Sequence, residues 1–332
     1  MTSNRYSRQE LIPEWKQTSI SESTVLVLGV GATGSYVAAN LAMSGVGKLI
    51  LVDYDTIELS NLNRQLLFRQ ADIGENKAEI AAQRLQEINP EIEIVAFPKK
   101  MQELPKNLKS EIDLIACCLD TFRGRRWANS LALNEKKPMV NGGMYAFLGD
   151  VQTILPYETA CFECQPLVSQ EKLAQACTPL GEARKDMADE KEEVTLPSVA
   201  TLSSIIGGLM SQEVLKLLME VGNPLKNYLF YDGLSNSFTE LELHRNDNCP
   251  ICGRTNNVEK MTALAFRGER VGEFRDRIAL AFGLADPQLM LKGKFLDDDT
   301  LMDGGSGDTI YAIDERLAAP ISVEINYKDS RE

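Results

Sequence analysis

Thr24-Val25-Leu26-Val27-Leu28-Gly29-Val30-Gly31-Ala32-Thr33-Gly34 is the stretch from which the fold can be read. Its first half is a short apolar run and its second half has the pattern G-x-G-x-x-G. That order predicts a buried parallel strand turning into a helix. The glycines permit a tight turn and let backbone N–H groups come close to a phosphate. A second apolar run, Lys48-Leu49-Ile50-Leu51-Val52, ends at Asp53, 19 residues past Gly34. An acidic residue at that place grips a ribose hydroxyl in nucleotide-binding sheets. These residues point to a nucleotide on a Rossmann-like sheet, but a dinucleotide dehydrogenase would share them.

The next segment separates the two. Asp53-Tyr54-Asp55-Thr56-Ile57-Glu58-Leu59-Ser60-Asn61-Leu62-Asn63-Arg64-Gln65 is polar and follows the carboxyl end of the second strand, the edge where open α/β sheets bind ligands. Asp72-Ile73-Gly74 and Lys77 come after it. A hydride-transfer site has no use for an Arg and a Lys aimed at phosphates from here. An ATP site does, because negative charge builds on the α-phosphate and on departing pyrophosphate. Lys77 falls in the first turn of a helix expected over 75–88, where a lysine opposes the helix dipole. An anionic partner or plain solvent exposure would each account for that.

These motifs resemble those of the ubiquitin-activating enzymes and the related adenylyltransferases for molybdopterin-synthase and thiamine sulfur carriers. The resemblance covers roughly residues 5–255. It rests on Arg5-Tyr6-Ser7-Arg8-Gln9, the glycine loop, Asp53-x-Asp55, Ser60-Asn61-Leu62-Asn63-Arg64-Gln65, Asp72-Ile73-Gly74-x-x-Lys77, Asn89-Pro90, and Leu119-Asp120 with Arg123 and Asn129. It implies a Rossmann-like α/β adenylation domain on a mixed sheet, using ATP and Mg2+. It implies that Asn61, Arg64, Gln65 and Lys77 address phosphates, that Asp120 sits beside magnesium, and that Arg8 reaches the nucleotide of a neighbouring subunit in a homodimer. Gly29, Gly31, Gly34, Asp53 and Asp55 complete the nucleotide set. Without the resemblance Arg8 reads as surface charge, and Asp120 as the cap of a helix over 122–134.

Composition agrees with such an enzyme. The chain has 332 residues, 44% of them hydrophobic, with 35 basic against 48 acidic residues for a formal charge of −13. An acidic chain of this kind is a poor general nucleic-acid binder, so a nucleotide must be met by a local positive cluster. The N-terminus carries no apolar signal core and no run of about 18 apolar residues is present, so a cytoplasmic protein without a membrane span is expected. Seven cysteines and one histidine, His244, leave little room for a His-based mechanism.

The cysteines sort by context. Cys117 and Cys118 lie in the apolar strand 113–119 and read as core packing. Cys161-x-x-Cys164 and Cys249-x-x-Cys252 are two knuckle halves that together supply four thiolates for a structural Zn2+. A single C-x-x-C could instead be a redox pair. Cys177 remains. It precedes a charged run, Glu182 to Glu193, with six acids and three bases, inside a segment over 167–196 read as an exposed loop. The cysteine matching it in ubiquitin-type activators carries a thioester, and sulfur-carrier relatives have one nearby too.

The rest of the chain reads as a helix lead-in over 5–20, a helix over 32–46, a strand over 92–97, a short helix over 101–110, strands within 138–156, an apolar helix from Pro197 to Leu218, and strands over 228–232 and 238–243. Gly253 to Asn257 marks a boundary. Residues 258–332 are expected to form a small α+β domain: strands over 262–266, 289–296, 309–313 and 321–327, with Val271, Phe274, Ile278 and Phe282 at helical spacing. One helix on a mixed sheet is the β-grasp plan and resembles the ubiquitin-fold domain of larger activating enzymes. An unrelated α+β tail is the other reading.

The expected function is ATP-dependent activation of a ubiquitin-like carrier protein with a C-terminal Gly-Gly. Its glycine is adenylated, passed to Cys177 as a thioester and handed to a conjugating enzyme, with Arg64, Lys77 and Asp120 in the catalytic set. The alternative is a sulfur-carrier adenylyltransferase. A dinucleotide oxidoreductase and a non-catalytic scaffold are the readings from other classes.

Overall fold

A computed structural model describes residues 4–164, 197–225, 227–247, 249, 251–253, 261–282, 284, 286–303, 307–314 and 321–328. The chain divides into two compact units, Met1–Phe162 with Val194–His244, and Glu163–Glu193 with Arg245–Glu332.

The first unit is built on an eight-stranded sheet. Its strands are β1 (Thr24–Leu28), β2 (Lys48–Val52), β3 (Glu93–Phe97), β4 (Leu114–Cys117), β5 (Met139–Tyr145), β6 (Leu148–Ile154), β7 (Tyr228–Asp232) and β8 (Ser237–Leu241). They lie in the order β3-β2-β1-β4-β5-β6-β7-β8. From β3 to β5 all pairings are parallel, and from β5 to β8 all are antiparallel. All five residues of β1 are buried, which its apolar run demands for a strand covered on both faces. Leu26 pairs with Ile50 on one side and Ile115 on the other.

Helices cover this sheet. They are α1 (Gln17–Ser21), α2 (Ala32–Ser44), α3 (Lys77–Ile88), α4 (Lys106–Glu111), α5 (Phe122–Asn134) and α6 (Ala200–Met219). Val37, Ala38 and Leu41 of α2 share one buried cluster with Ile206, Met210 and Val214 of α6. By length and composition alone α6 could cross a membrane. Here it is a core helix, with Leu202, Ile206, Met210 and Val214 buried. The expected helix over 101–110 is instead a 3-10 turn, Met101–Glu103, followed by α4. Pro105, at the N-cap of α4, has no N–H to continue one helix through.

The motif residues near the N-terminus are structural ties. The Arg5 guanidinium donates to Ile88 O at 3.0 Å. Buried Asn89 donates from Nδ2 to Ala42 O at 2.7 Å and to the Tyr6 hydroxyl at 2.9 Å. Asn129 accepts from Phe162 N–H at 3.0 Å.

The second unit contains β9 (Met261–Phe266), α7 (Val271–Phe282), β10 (Gln288–Leu291), β11 (Lys294–Phe295), β12 (Thr309–Ile313) and β13 (Ile321–Lys328). The sheet order is β11-β10-β12-β13-β9, with β13 parallel to β9 and the other pairs antiparallel. Val271, Phe274 and Ile278 of α7 pack with Leu289, Ile310, Ala312, Ile321, Val323 and Ile325. This is one helix clasped by a mixed sheet, the β-grasp plan. The single strand expected over 289–296 is a hairpin. Lys292 and Gly293 have φ of 49° and 80°, the left-handed pair that closes a two-residue turn.

The glycine loop depends on close backbone approach. Gly29 has φ of 80°, and a Cβ on Gly34 would lie 1.9 Å from Gly29 O. The Gly34→Ala variant should therefore lose about 1–3 kcal/mol of stability, the usual cost of forcing a methyl into a filled site. Denaturant unfolding against the wild type measures it, and an unchanged midpoint would contradict the packing described.

Candidate nucleotide site and cysteine cluster

Asp53 directly follows β2 and is 8% exposed. Its Oδ2 accepts from Val30 N–H in the glycine loop at 2.8 Å, and its Oδ1 accepts from Asp55 N–H at 3.0 Å. Burial pushes this carboxyl above the usual carboxylate range, while the Lys77 charge and the two N–H donors pull it back. The residue expected to hold a ribose thus also braces the glycine loop from below. Gly31, by contrast, is uncrowded. A Cβ there would meet nothing nearer than Gln65 Nε2 at 3.6 Å. The buried Gln65 Oε1 has no hydrogen-bond partner. Open space over a glycine backbone, beside an unsatisfied amide, suits a ligand with polar oxygens.

Lys77 is buried at 8% exposure, which removes solvent exposure as the reason for a lysine in that first turn. Its Nζ meets Asp55 Oδ2 at 2.9 Å and its N–H donates to Asp55 O at 3.0 Å. Asn76, which sequence reasoning passed over, holds this corner together. Its Oδ1 caps α3 by accepting from Glu79 N–H at 3.1 Å, and its Nδ2 donates to Asp53 O and Asp55 O, each at 3.1 Å. An Asn directly before a helical run is an N-cap signal that could have found it.

The loop from Ser60 to Gln65 is held at both ends. Buried Asn61 accepts from Glu58 N–H at 3.0 Å, and Leu66 N–H donates to Ser35 Oγ of α2 at 3.1 Å. Arg64 is half-buried, with Nη1 donating to Ser60 O at 2.6 Å and Asn63 Oδ1 at 3.0 Å. Asp120, past the end of β4, is exposed and has no partner among the described residues. Thr121, not Asp120, caps α5, its side chain accepting from Gly124 N–H at 3.1 Å. Arg8 is exposed at the N-cap of a short 3-10 turn, Gln9–Leu11, and has no partner among the described residues. Glycine loop, Asp53, Asp55, Lys77 and the 60–65 loop therefore meet at the carboxyl edge of β1 and β2, and Asp120 follows the adjacent strand β4.

Arg125 was also missed. Its Nε donates to Leu119 O at 2.9 Å, next to Asp120. The sequence pointed to Arg123, two residues earlier in α5.

Four cysteines come together. The Sγ atoms of Cys161, Cys164, Cys249 and Cys252, all buried, lie within 4.8 Å of one another. Cys164 and Cys252 are 3.2 Å apart. A tetrahedral ion with metal–sulfur bonds of about 2.3 Å sets its thiolates about 3.8 Å apart, so the donor set and spacing fit such an ion. Cys117 is fully buried and burial pushes its thiol up to about 11. Cys118 is half-buried rather than buried, and its thiol is likewise pushed well up by desolvation. Neither is a ready nucleophile. Cys177 lies outside the described residues.

Residues 5–251 match the ThiF family. A sulfur carrier protein adenylyltransferase of Thermus thermophilus is 32% identical over 261 residues, covering 75% of this chain and 90% of that protein. The sulfur carrier protein ThiS adenylyltransferase of Escherichia coli is 30% identical over 257 residues, 76% of this chain and 96% of its own. Ubiquitin-like modifier-activating enzyme 5 of Bombyx mori is 34% identical over 269 residues, 74% of this chain and 64% of that one. Among solved structures, Escherichia coli MccB with MccA-N7isoASN aligns with a TM-score of 0.63 over 76% of each chain at 24% identity, a likeness of fold. A family match over most of the chain, with relatives at this identity across the same residues, means that the chain belongs to the ThiF family of adenylyltransferases.

Proposed function

We propose that this protein uses ATP to adenylate the C-terminal glycine of a small β-grasp carrier protein. The observation that carries the reading is Lys77: a buried cation in a helix's first turn, held beside the glycine-loop brace Asp53. In the reaction a carboxylate oxygen of the carrier attacks the α-phosphorus, the bond to the β-phosphate oxygen breaks, and pyrophosphate leaves with that electron pair. A carboxylate is already an anion at neutral pH, so no general base is needed, and the scarcity of histidine is no obstacle. Alignment and charge stabilisation remain. Asp53 holds the ribose end, Lys77 and Arg64 meet phosphates, Asn61 and Gln65 line their path, and Arg8 comes from a second copy in a homodimer. The Asp120 carboxylate, without a partner among the described residues, would hold Mg2+, which would supply neutralising charge to the phosphates.

Arg64→Ala or Asp120→Ala should cut carrier-dependent ATP–pyrophosphate exchange by about 10²-fold or more, the scale of losing one charge-stabilising group. Wild-type exchange in either variant would remove that residue from the mechanism.

For the carrier, the relatives favour the sulfur-carrier branch. The two bacterial sulfur-carrier adenylyltransferases are matched over 90% and 96% of their own lengths. A second reading, activation of a ubiquitin-like modifier with transfer to a conjugating enzyme, is favoured by the β-grasp unit that follows the matched residues 5–251. Cys177 decides between them. Under the second reading, non-reducing gels of enzyme, carrier and magnesium-ATP show a thiol-sensitive adduct that Cys177→Ala abolishes while exchange survives. An adduct that persists in the variant, or none in the wild type, leaves the sulfur-carrier reading.

The cysteine cluster is assigned to Zn2+, because four thiolates at tetrahedral spacing are a closed structural set with no position for a reacting water. Elemental analysis should find one zinc per chain, and its removal by chelators should lower the melting temperature. Metal-free protein with all four thiols reactive in the folded state would overturn the assignment.

A further inference from the structure

Three buried amides hold the chain on both sides of Cys161. They are Asn129 of α5, Gln152 of β6 and Asn227, just ahead of β7. The Phe162 N–H donates to Asn129 Oδ1 at 3.0 Å. Ala160 O accepts from Asn227 Nδ2 at 2.9 Å and from Gln152 Nε2 at 3.5 Å. The peptide groups before and after Cys161 are therefore both tied to side chains from other elements of the first unit. A peptide group is planar, so fixing the planes on either side of a residue fixes its φ and ψ. Only rotation about Cα–Cβ is left to place the Cys161 thiol.

The loop is anchored at its flanks as well. Leu155 N–H donates to Thr159 Oγ1 at 2.9 Å, and the Phe162 ring packs on Phe122 of α5 with centroids 5.1 Å apart.

Packing alone does not account for these amides. Asn129 Nδ2 and Asn227 Oδ1, the other ends of the same groups, are buried without a hydrogen-bond partner. An unsatisfied buried polar atom is unfavourable, and an apolar side chain of similar size would avoid it. Asn227 also has φ of 129°, a conformation that glycine adopts freely and other residues rarely. It is held there by Thr153, whose N–H donates to Asn227 O at 2.8 Å and whose O accepts from Asn227 Nδ2 at 3.1 Å. Glycine would relax this backbone but would lose the amide. Each feature makes sense if the requirement is to hold the loop over 160–162.

We propose that Asn129, Gln152 and Asn227 are positioning residues of the metal site. They preform the half that carries Cys161, so the direction of its thiolate is set before the ion arrives. A ligand already in place needs no ordering on binding, and groups that orient metal ligands contribute to affinity without touching the ion. The inference rests on the zinc reading above and adds residues beyond the four cysteines on which that affinity depends. It also gives Asn129 a task unconnected with the nucleotide.

The test uses the full chain and Zn2+ itself, competed against a chromophoric chelator. Asn129→Leu and Asn227→Gly should each weaken zinc binding about tenfold or more, the range for losing a group that orients a ligand. Asn129→Asp keeps an oxygen acceptor for the Phe162 N–H and should bind zinc more tightly than Asn129→Leu. ATP should bind all three variants with wild-type affinity by calorimetry, which reports that the adenylation fold is intact. Wild-type zinc affinity in the folded variants overturns the clamp, and so does zinc affinity that falls only in step with ATP affinity. If the variants do not fold, the wild type decides. After zinc is removed by a chelator, hydrogen exchange at the Phe162 N–H should stay slow, and free exchange there in the folded metal-free protein overturns the preformed half. A wild type that holds no zinc overturns the zinc reading and the clamp with it, whereas zinc held equally by wild type and variants removes the clamp alone.

Discussion

One desolvated carboxylate holds the nucleotide edge together. Asp53 ties the glycine loop through Val30, the following loop through Asp55, and the start of α3 through the Lys77 charge. Burying a carboxylate is unfavourable unless hydrogen bonds and a counter-charge replace water. Here two backbone N–H groups and a lysine do so. Because those partners come from three segments, the ends of β1, β2 and α3 keep their mutual placement before any ligand arrives. Asn76 reinforces the same corner by capping α3 and clasping two carbonyls of the 53–55 loop. Preorganised donors act on a developing charge without paying reorganisation at the moment of reaction.

The cations of the site are parked on weak partners. Lys77 pairs with Asp55, whose side chain is half exposed, and Arg64 rests on a carbonyl and an amide of its own loop. Half exposure of Asp55 lets solvent screen its pull on Lys77. That matters in a chain of formal charge −13, which otherwise repels anions. The local cluster has to outweigh the surrounding field within a few ångströms, where close contact dominates screening.

Much of this was legible because the signals are short-range. The strand ahead of the glycines, the helix after them, the acid ending β2 and the two cysteine pairs each depend on neighbouring residues, and the structure places them where the pattern requires. What escaped reading depends on three-dimensional phase. Arg125 is one arginine among several as a letter, and only the turn of α5 beside the β4 end brings its guanidinium to Leu119 O. The break at Pro105 and the Lys292-Gly293 turn were visible as turn chemistry and were read through as continuous elements. Thr121 displaced Asp120 as the cap of α5, freeing that carboxylate for other work.

The switch from parallel to antiparallel pairing decides which residues reach the carboxyl edge of the sheet. In the parallel half each strand ends at the edge and hands on to a loop, so side chains there come from loops: the glycine loop after β1, the 53–65 segment after β2, Asp120 after β4. At β5 the chain turns back within two residues, between Tyr145 and Leu148. Ladder residues, not loop residues, then reach the edge. A ladder fixes cross-strand neighbours to within the strand spacing, which no loop does as tightly.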